Sequence, residues 1–153
     1  MADVTDEIAN RPAPGRANPI GASYMHVVLG EDRNLNGRIR QVPLLATSSF
    51  AGRPGVDKLP PPPGTDLGEW YHTVTVELAP ARQYARAVFE ASEEFVGSLT
   101  EQDLARTIDM SFTGLGILPL ALWVDVFLTA HCNNLAGEIS ALKGVFGLKG
   151  YPF

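Results

Sequence analysis

Three histidines, His26, His72 and His131, are the residues of this chain with the clearest capacity for chemistry. Imidazole binds transition metals, and a helical bundle builds such a site from ligands that converge from different helices. Two histidines four residues apart on one helix, joined by a third from another helix, leave a coordination position open for catalysis. The position four residues after His131 is Leu135, which cannot bind a metal. The pattern therefore provides two ligands of such a site, His26 and His131.

The other candidate ligands near His131 fit this site less well. Glu138 lies two helical turns further on, about 10 Å along the axis, which is too far to share one ion. Cys132 points about 100° away around the helix. His72 falls in a segment whose position the sequence does not fix, so it stays open as a third ligand. Two hypotheses remain: His26 and His131 hold a divalent metal, or they are core residues that only make hydrogen bonds.

Composition and charge exclude several classes of protein. The chain has 153 residues, of which 45% are hydrophobic and 19% charged, so we expect a single domain over residues 1–153 with a real core. The formal net charge is −5 and no basic stripe occurs, so we expect neither nucleic acid nor a membrane surface as a partner. The longest apolar run, residues 115–130, is too short to span a bilayer. A lone cysteine and a polar N-terminus without a secretory signal predict a cytoplasmic protein.

Long helices position the two histidines. Asn18 is a good N-cap and Pro19 a good first residue for a helix that carries His26 and stops near Gly37. Residues 31–33 of this helix are charged, so we expect the helix to emerge into solvent at this point. The last third of the chain predicts another long helix, beginning at Pro119 and ending near Gly144, with His131 on its apolar stripe.

A third long helix is predicted over residues 76–99. Its apolar seam steps by three and four residues, which is typical of packing at a shallow angle against neighbouring helices; its members are Leu78, Ala81, Ala85, Val88, Ser92, Phe95 and Leu99. Thr100 and Asp103 then predict the capping box of a short helix. No run of alternating residues predicts a strand, so the fold class is all-α.

Residues 38–69 form a long connection with a run of four prolines at residues 60–63. Such a run adopts an extended conformation without donors for a sheet. We interpret it as a stiff strap over one end of the bundle. The alternative is a ligand for a proline-reading domain, although the basic anchor that such ligands carry is absent.

Two stretches of the sequence resemble the DinB-like (YfiT-like) superfamily of bacterial proteins. They are NPIGASYMHVVLGED around His26 and HCNNLAGEISALKGVFGLKGYPF from His131 onward. The resemblance covers most of the chain from Asn10. It implies an up-down four-helix bundle that holds a divalent metal (Zn, Ni, Fe or Mn). It also implies hydrolase or low-molecular-weight-thiol transferase activity on a small-molecule substrate, and frequent dimers.

The chain departs from the pattern of that superfamily in two places. His26 and His131 match metal-ligand positions, but the other histidine of the last helix corresponds to Leu135. The alternative to a metal enzyme is therefore a degenerate, metal-free bundle that binds a small molecule or an interaction partner. The first long helix of the family is short or missing before Asn10. Because three helices leave one large apolar face in water, we expect a homodimer.

Overall fold

A computed structural model describes residues 1–151, apart from the side chain of Phe112, and is mostly helical. In chain order the elements are α1 (Asp6–Ala9), α2 (Ile20–Asp32) with a π-helical continuation (Arg33–Ile39), a 3₁₀ turn (Leu45–Thr47), α3 (Gly68–Thr73), α4 (Leu78–Ser98), α5 (Glu101–Ala105), β1 (Thr107–Asp109), a 3₁₀ turn (Ser111–Thr113), β2 (Ile117–Pro119), α6 (Leu120–Trp123) with a π-helical continuation (Val124–Ala130), and α7 (His131–Val145). The all-α class is confirmed.

The predicted helix ends agree with the observed ones to within a few residues. Pro19, and not Asn18, occupies the N-cap position of α2, so the helix begins one residue later than predicted, and it runs on past Gly37 to Ile39. Thr100 accepts a hydrogen bond from the Asp103 backbone, and the Asp103 side chain bonds back, so the capping box is confirmed. The last helix ends at Val145 rather than Gly144, because the glycine in the left-handed conformation is Gly147, with φ of 79°.

A small β-hairpin corrects the expectation of a chain without strands. β1 and β2 pair antiparallel, with Ile108 opposite Leu118. Both strands have only three residues, too few for an alternating pattern to show in the sequence. Pro119 is thus the last residue of a strand and the N-cap of α6, not the first residue of the helix.

The long connection contains more structure than the sequence indicates. A 3₁₀ turn occupies Leu45–Thr47, and α3 begins at Gly68. Val56 forms an isolated antiparallel bridge with Val76, which fastens the connection to the start of α4. Two hydrogen bonds from the Arg33 guanidinium reach the carbonyls of Pro60 and Pro61, at 3.3 and 3.1 Å. The proline run is therefore held against the π-helical segment, and its interpretation as a strap over one end of a bundle stays a prediction.

Helix α2 lies at the centre of the fold, in contact with α1, α4 and α7. Its buried residues Ile20, Met25 and Val28 join those of α4 in the larger core cluster. A second cluster gathers around Trp123, under the hairpin and the π-helical segment of α2. The seam of α4 is buried from Leu78 to Ser92, as predicted.

Two charged residues of α2 are buried, which corrects the expectation that the helix emerges into solvent there. Glu31 is 9% exposed and Asp32 only 1%. Their hydrogen-bond partners come from α4, α7 and the long connection, which the local sequence does not show.

The part of the chain that the structure describes contains three long helical stretches, and only the one-turn α1 precedes the first of them. This agrees with a short first helix, and a complete four-helix arrangement stays a prediction. Among the helices of residues 1–151, none combines the length and the apolar character that crossing a membrane requires.

Candidate functional site: a histidine pair and an apolar groove

The structure brings His26 of α2 and His131 of α7 together. Their ring centroids lie 5.3 Å apart with the planes nearly perpendicular. Tyr71 of α3 also contacts His26, with the ring centroids 5.4 Å apart. Burial, assisted by the charge of His131 and of Arg33, lowers the pKa of His26 to about 4. Burial also lowers the pKa of His131, while Glu138 acts in the opposite direction. The pair is therefore neutral at pH 7.

Lowering the pH from about 7 to about 4.5 is expected to destabilise the fold through His26. Its pKa is about 4 in the folded chain against an ordinary value of 6.5, so between these values the unfolded chain binds a proton that the folded chain does not. The free energy of unfolding should therefore fall by about 2 kcal/mol over this range. Urea denaturation at both pH values measures it. In the control variant His26→Gln the fall should be smaller, and an equal fall would contradict the assignment.

The third ligand of a catalytic metal site is not provided by the side chains around this pair. Leu135, one turn after His131, is 6% exposed and aliphatic. His72 is exposed on α3. Within residues 1–151, no three His, Cys, Asp or Glu side chains are grouped so that they could hold a metal ion. The residues present therefore do not fit a metal centre with three protein ligands, because two imidazoles remain without a third donor.

The proline strap forms one side of a small pocket beside His26. This pocket has a volume of about 230 Å³, and His26, Arg33 and residues 60–63 are among its lining. The Arg33 guanidinium is engaged by hydrogen bonds to the proline carbonyls. The other titratable side chain in the lining of this pocket is His26. The pocket is small for a ligand site, since typical sites occupy about 300–1,000 Å³.

A larger groove, of about 870 Å³, runs along another side of α2. Helix α2 forms its floor, α4 one wall, and residues 124–143 the opposite wall. The lining is mostly apolar and includes Val27, Phe89, Val96, Leu128, Ala136 and Ile139. Five helical residues separate His26 from Glu31, a rotation of about 140°. The groove and the histidine pair therefore lie on different faces of the same helix.

Glu31 carries a carboxyl group into this apolar groove. Its Oε1 is hydrogen-bonded to the Ser92 hydroxyl of α4, and its Oε2 lies 3.8 Å from the Cys132 thiol of α7. Burial raises the pKa of Glu31, against the opposing effect of the hydrogen bonds from Ser92 and Cys132. Burial, with the charge of Glu31, raises the pKa of Cys132 to about 11. The thiol is thus protonated at neutral pH and is no activated nucleophile.

The N-terminal segment closes one end of the groove. Met1 lines it, and the Arg82 guanidinium donates to the carbonyls of Met1 and Val4, at 2.8 and 3.0 Å. Lys143 also lines this end, and its ammonium is paired with Asp3 at 2.8 Å. The basic group at this end is therefore engaged by the protein itself.

Sequence reasoning identified the histidine pair but missed the cluster of Glu31, Ser92 and Cys132. Glu31 is 61 residues from Ser92 and 101 residues from Cys132, so no local motif joins them. One signal was present: Ser92 is the polar member of the apolar seam of α4. A serine at a buried seam position needs a polar partner across the interface.

Comparisons with known proteins agree with this architecture. The model of the DinB superfamily matches residues 1–136. Among solved structures, a conserved protein from Enterococcus faecalis superposes with a TM-score of 0.68 over 94% of this chain and 86% of its own, at 18% sequence identity. At that identity the likeness concerns the fold alone. No curated protein matches the sequence significantly.

Proposed function

The chain belongs to the DinB superfamily. We propose that it binds a small, largely apolar molecule in the groove between α4 and α7. The observation that carries this proposal is the groove itself, about 870 Å³ of mostly apolar surface with one buried carboxyl group on its floor. Sites for small molecules have this size and this character: apolar walls and a few placed polar groups that fix the orientation of the ligand.

Filling the groove is expected to weaken binding. Ala136 lines the groove on α7, so Ala136→Trp places an indole where the ligand would lie. Fluorescence titration with N-phenyl-1-naphthylamine, a neutral apolar probe, should show at least about a tenfold loss of affinity, which corresponds to roughly 1.4 kcal/mol. The matched control is Ala121→Trp on α6, which is also exposed but does not line the groove. Equal affinity in the two variants would refute the proposal.

A second candidate function is metal-dependent hydrolysis or thiol transfer at the histidine pair. The contact between His26 and His131 favours it. Both imidazoles are neutral at pH 7, so each has a nitrogen lone pair that can bind Zn, Ni, Fe or Mn. The buried Leu135 counts against it. Elemental analysis of untagged, chelator-free protein beside His26→Ala distinguishes the candidates. Near-stoichiometric metal that disappears in the variant would favour the enzyme, and its absence from both would favour the metal-free binding protein.

The homodimer expected from the sequence stays a prediction. A second copy that covers the groove would exclude the ligand, so the two occupants compete. Light scattering of the free chain and of the chain saturated with the apolar probe separates them. A monomer that binds the probe agrees with the proposed function, whereas a dimer that excludes the probe contradicts it.

A further inference from the structure

We infer that the molecule bound in the groove is an amphipathic cation, an apolar chain or ring system ending in a protonated amine that pairs with Glu31. This inference rests on the proposed function and specifies its ligand. It is carried by the position of Glu31 on the floor of the groove, by the hydrogen bonds that reach its carboxyl group, and by the distribution of charge along the walls.

The charges of the groove complement a cation rather than an anion. Two carboxyl groups line it, Glu31 on the floor and Glu93 on the wall formed by α4. The basic groups are confined to one end, where Lys143 is paired with Asp3 and the amino group of Met1 lies close by. An anionic head group would meet Glu31 halfway along an apolar channel, whereas a cationic one would find an acceptor there.

Hydrogen-bond counting at Ser92 indicates that the donors within the protein do not fully satisfy the Glu31 carboxyl group. The Ser92 hydroxyl is in hydrogen-bond distance of Glu31 Oε1 and also of the Val88 carbonyl, at 3.1 Å. A hydroxyl has one proton, so it cannot fully satisfy both acceptors. The second donor to Glu31 is the Cys132 thiol, a weak one at 3.8 Å. An ammonium group would bring strong donors to a buried acceptor that has one shared and one weak partner.

The shape of the site also matches an amphipathic ligand. Glu31 is the polar group on the floor, while the lining along both walls is dominated by side chains such as Phe89, Val96, Leu128 and Ile139. A ligand with one amine and a long apolar body places its charge at Glu31 and its body against these walls. Burial of the body provides affinity, and the carboxylate selects the head group.

Three ligands of equal chain length test the inference: decylamine, decanol and decanoate. Isothermal titration of the full chain at pH 7 should show decylamine binding about tenfold more tightly than decanol, the ratio expected for a charge-assisted hydrogen bond. Decanoate should bind more weakly than decanol. Glu31→Gln keeps the size of the side chain and removes its charge, so the preference for the amine should disappear while the affinity for decanol is retained. Glu93→Gln, on the same groove but on its exposed wall, should keep the preference.

The outcomes separate this inference from the proposed function. If the amine and the alcohol bind equally, the groove is an apolar site and the cation assignment is overturned. Tighter binding of decanoate overturns it as well and assigns the head group to the end near Lys143. If no ligand binds, both the inference and the proposed function fail. If the preference for the amine survives in Glu31→Gln but disappears in Glu93→Gln, the ammonium group pairs with Glu93 on the α4 wall and not with Glu31. This result also overturns the inference.

Discussion

Replacing Asp32 with alanine is expected to lower the free energy of unfolding by about 4 kcal/mol, because it leaves several buried donors without an acceptor. The Asp32 carboxylate is 1% exposed and accepts four hydrogen bonds. Its Oδ1 accepts from the Asn36 side chain at 2.8 Å and from the Leu45 N–H at 3.1 Å. Its Oδ2 accepts from the Ala46 N–H at 2.9 Å and from the Tyr84 hydroxyl at 2.8 Å.

These four bonds tie three parts of the fold to one side chain. Asn36 belongs to the π-helical continuation of α2, Leu45 and Ala46 to the 3₁₀ turn of the long connection, and Tyr84 to α4. A loss of this size is a large part of the 5–15 kcal/mol that holds a typical domain folded. The variant should therefore have a much lower urea midpoint, and hydrogen exchange at the amides of Leu45 and Ala46 should be faster.

Two further variants make this result interpretable. Tyr84→Phe removes one donor and keeps the ring, so we expect a loss of only about 1 kcal/mol. Asp66→Ala removes an exposed carboxylate that accepts one local bond, from the Gly68 N–H at 2.8 Å, and should change stability by less than about 1 kcal/mol. If Asp32→Ala destabilises the chain no more than Asp66→Ala does, the hydrogen bonds of the buried Asp32 carboxylate do not hold these three parts of the fold together.

The parts of the fold that the sequence predicts well are those whose information is local. The seam of α4 repeats every three or four residues, and the capping box at Thr100 and Asp103 needs only four residues to be recognised. The hairpin was missed because its strands have three residues each and depend on pairing across a loop. Helix α3 was missed for a related reason: six residues are too few for a helical period to be visible.

In the candidate site, too, the features that depend on local sequence were predictable and those that depend on distant residues were not. His26 and His131 could be named as a pair because each lies on the inward face of a long helix, and the structure places their rings side by side. Whether they hold a metal stays a prediction. Glu31 and Asp32 were assigned to solvent because charged residues at the end of an apolar stripe usually are exposed. Their burial depends on Ser92, Tyr84 and the turn at Leu45–Thr47, which are distant in sequence.

Replacing Gly55 with alanine is expected to lower the free energy of unfolding by about 3 kcal/mol, through two separate effects. Gly55 has φ of 87°, a left-handed conformation that disfavours any Cβ by about 1–2 kcal/mol. A Cβ at this position would also lie 2.3 Å from the backbone nitrogen of Ala81. Backbone cannot rotate away as a side chain can, so the first turns of α4 and the connection must separate.

That separation would break contacts on which the long connection depends. The Gly55 carbonyl accepts the N–H of Glu77 at 3.0 Å, and the adjacent Val56 forms the bridge to Val76. Gly52→Ala is the matched control, because Gly52 has a similar φ of 72° but no atom within 4 Å of the added Cβ. It should lose only the conformational part, about 1 kcal/mol. Chemical denaturation of both variants measures the difference. Equal losses of unfolding free energy would mean that the close approach of Gly55 to α4 does not restrain the long connection. A larger loss for Gly55→Ala would show that this contact fastens the long connection to α4.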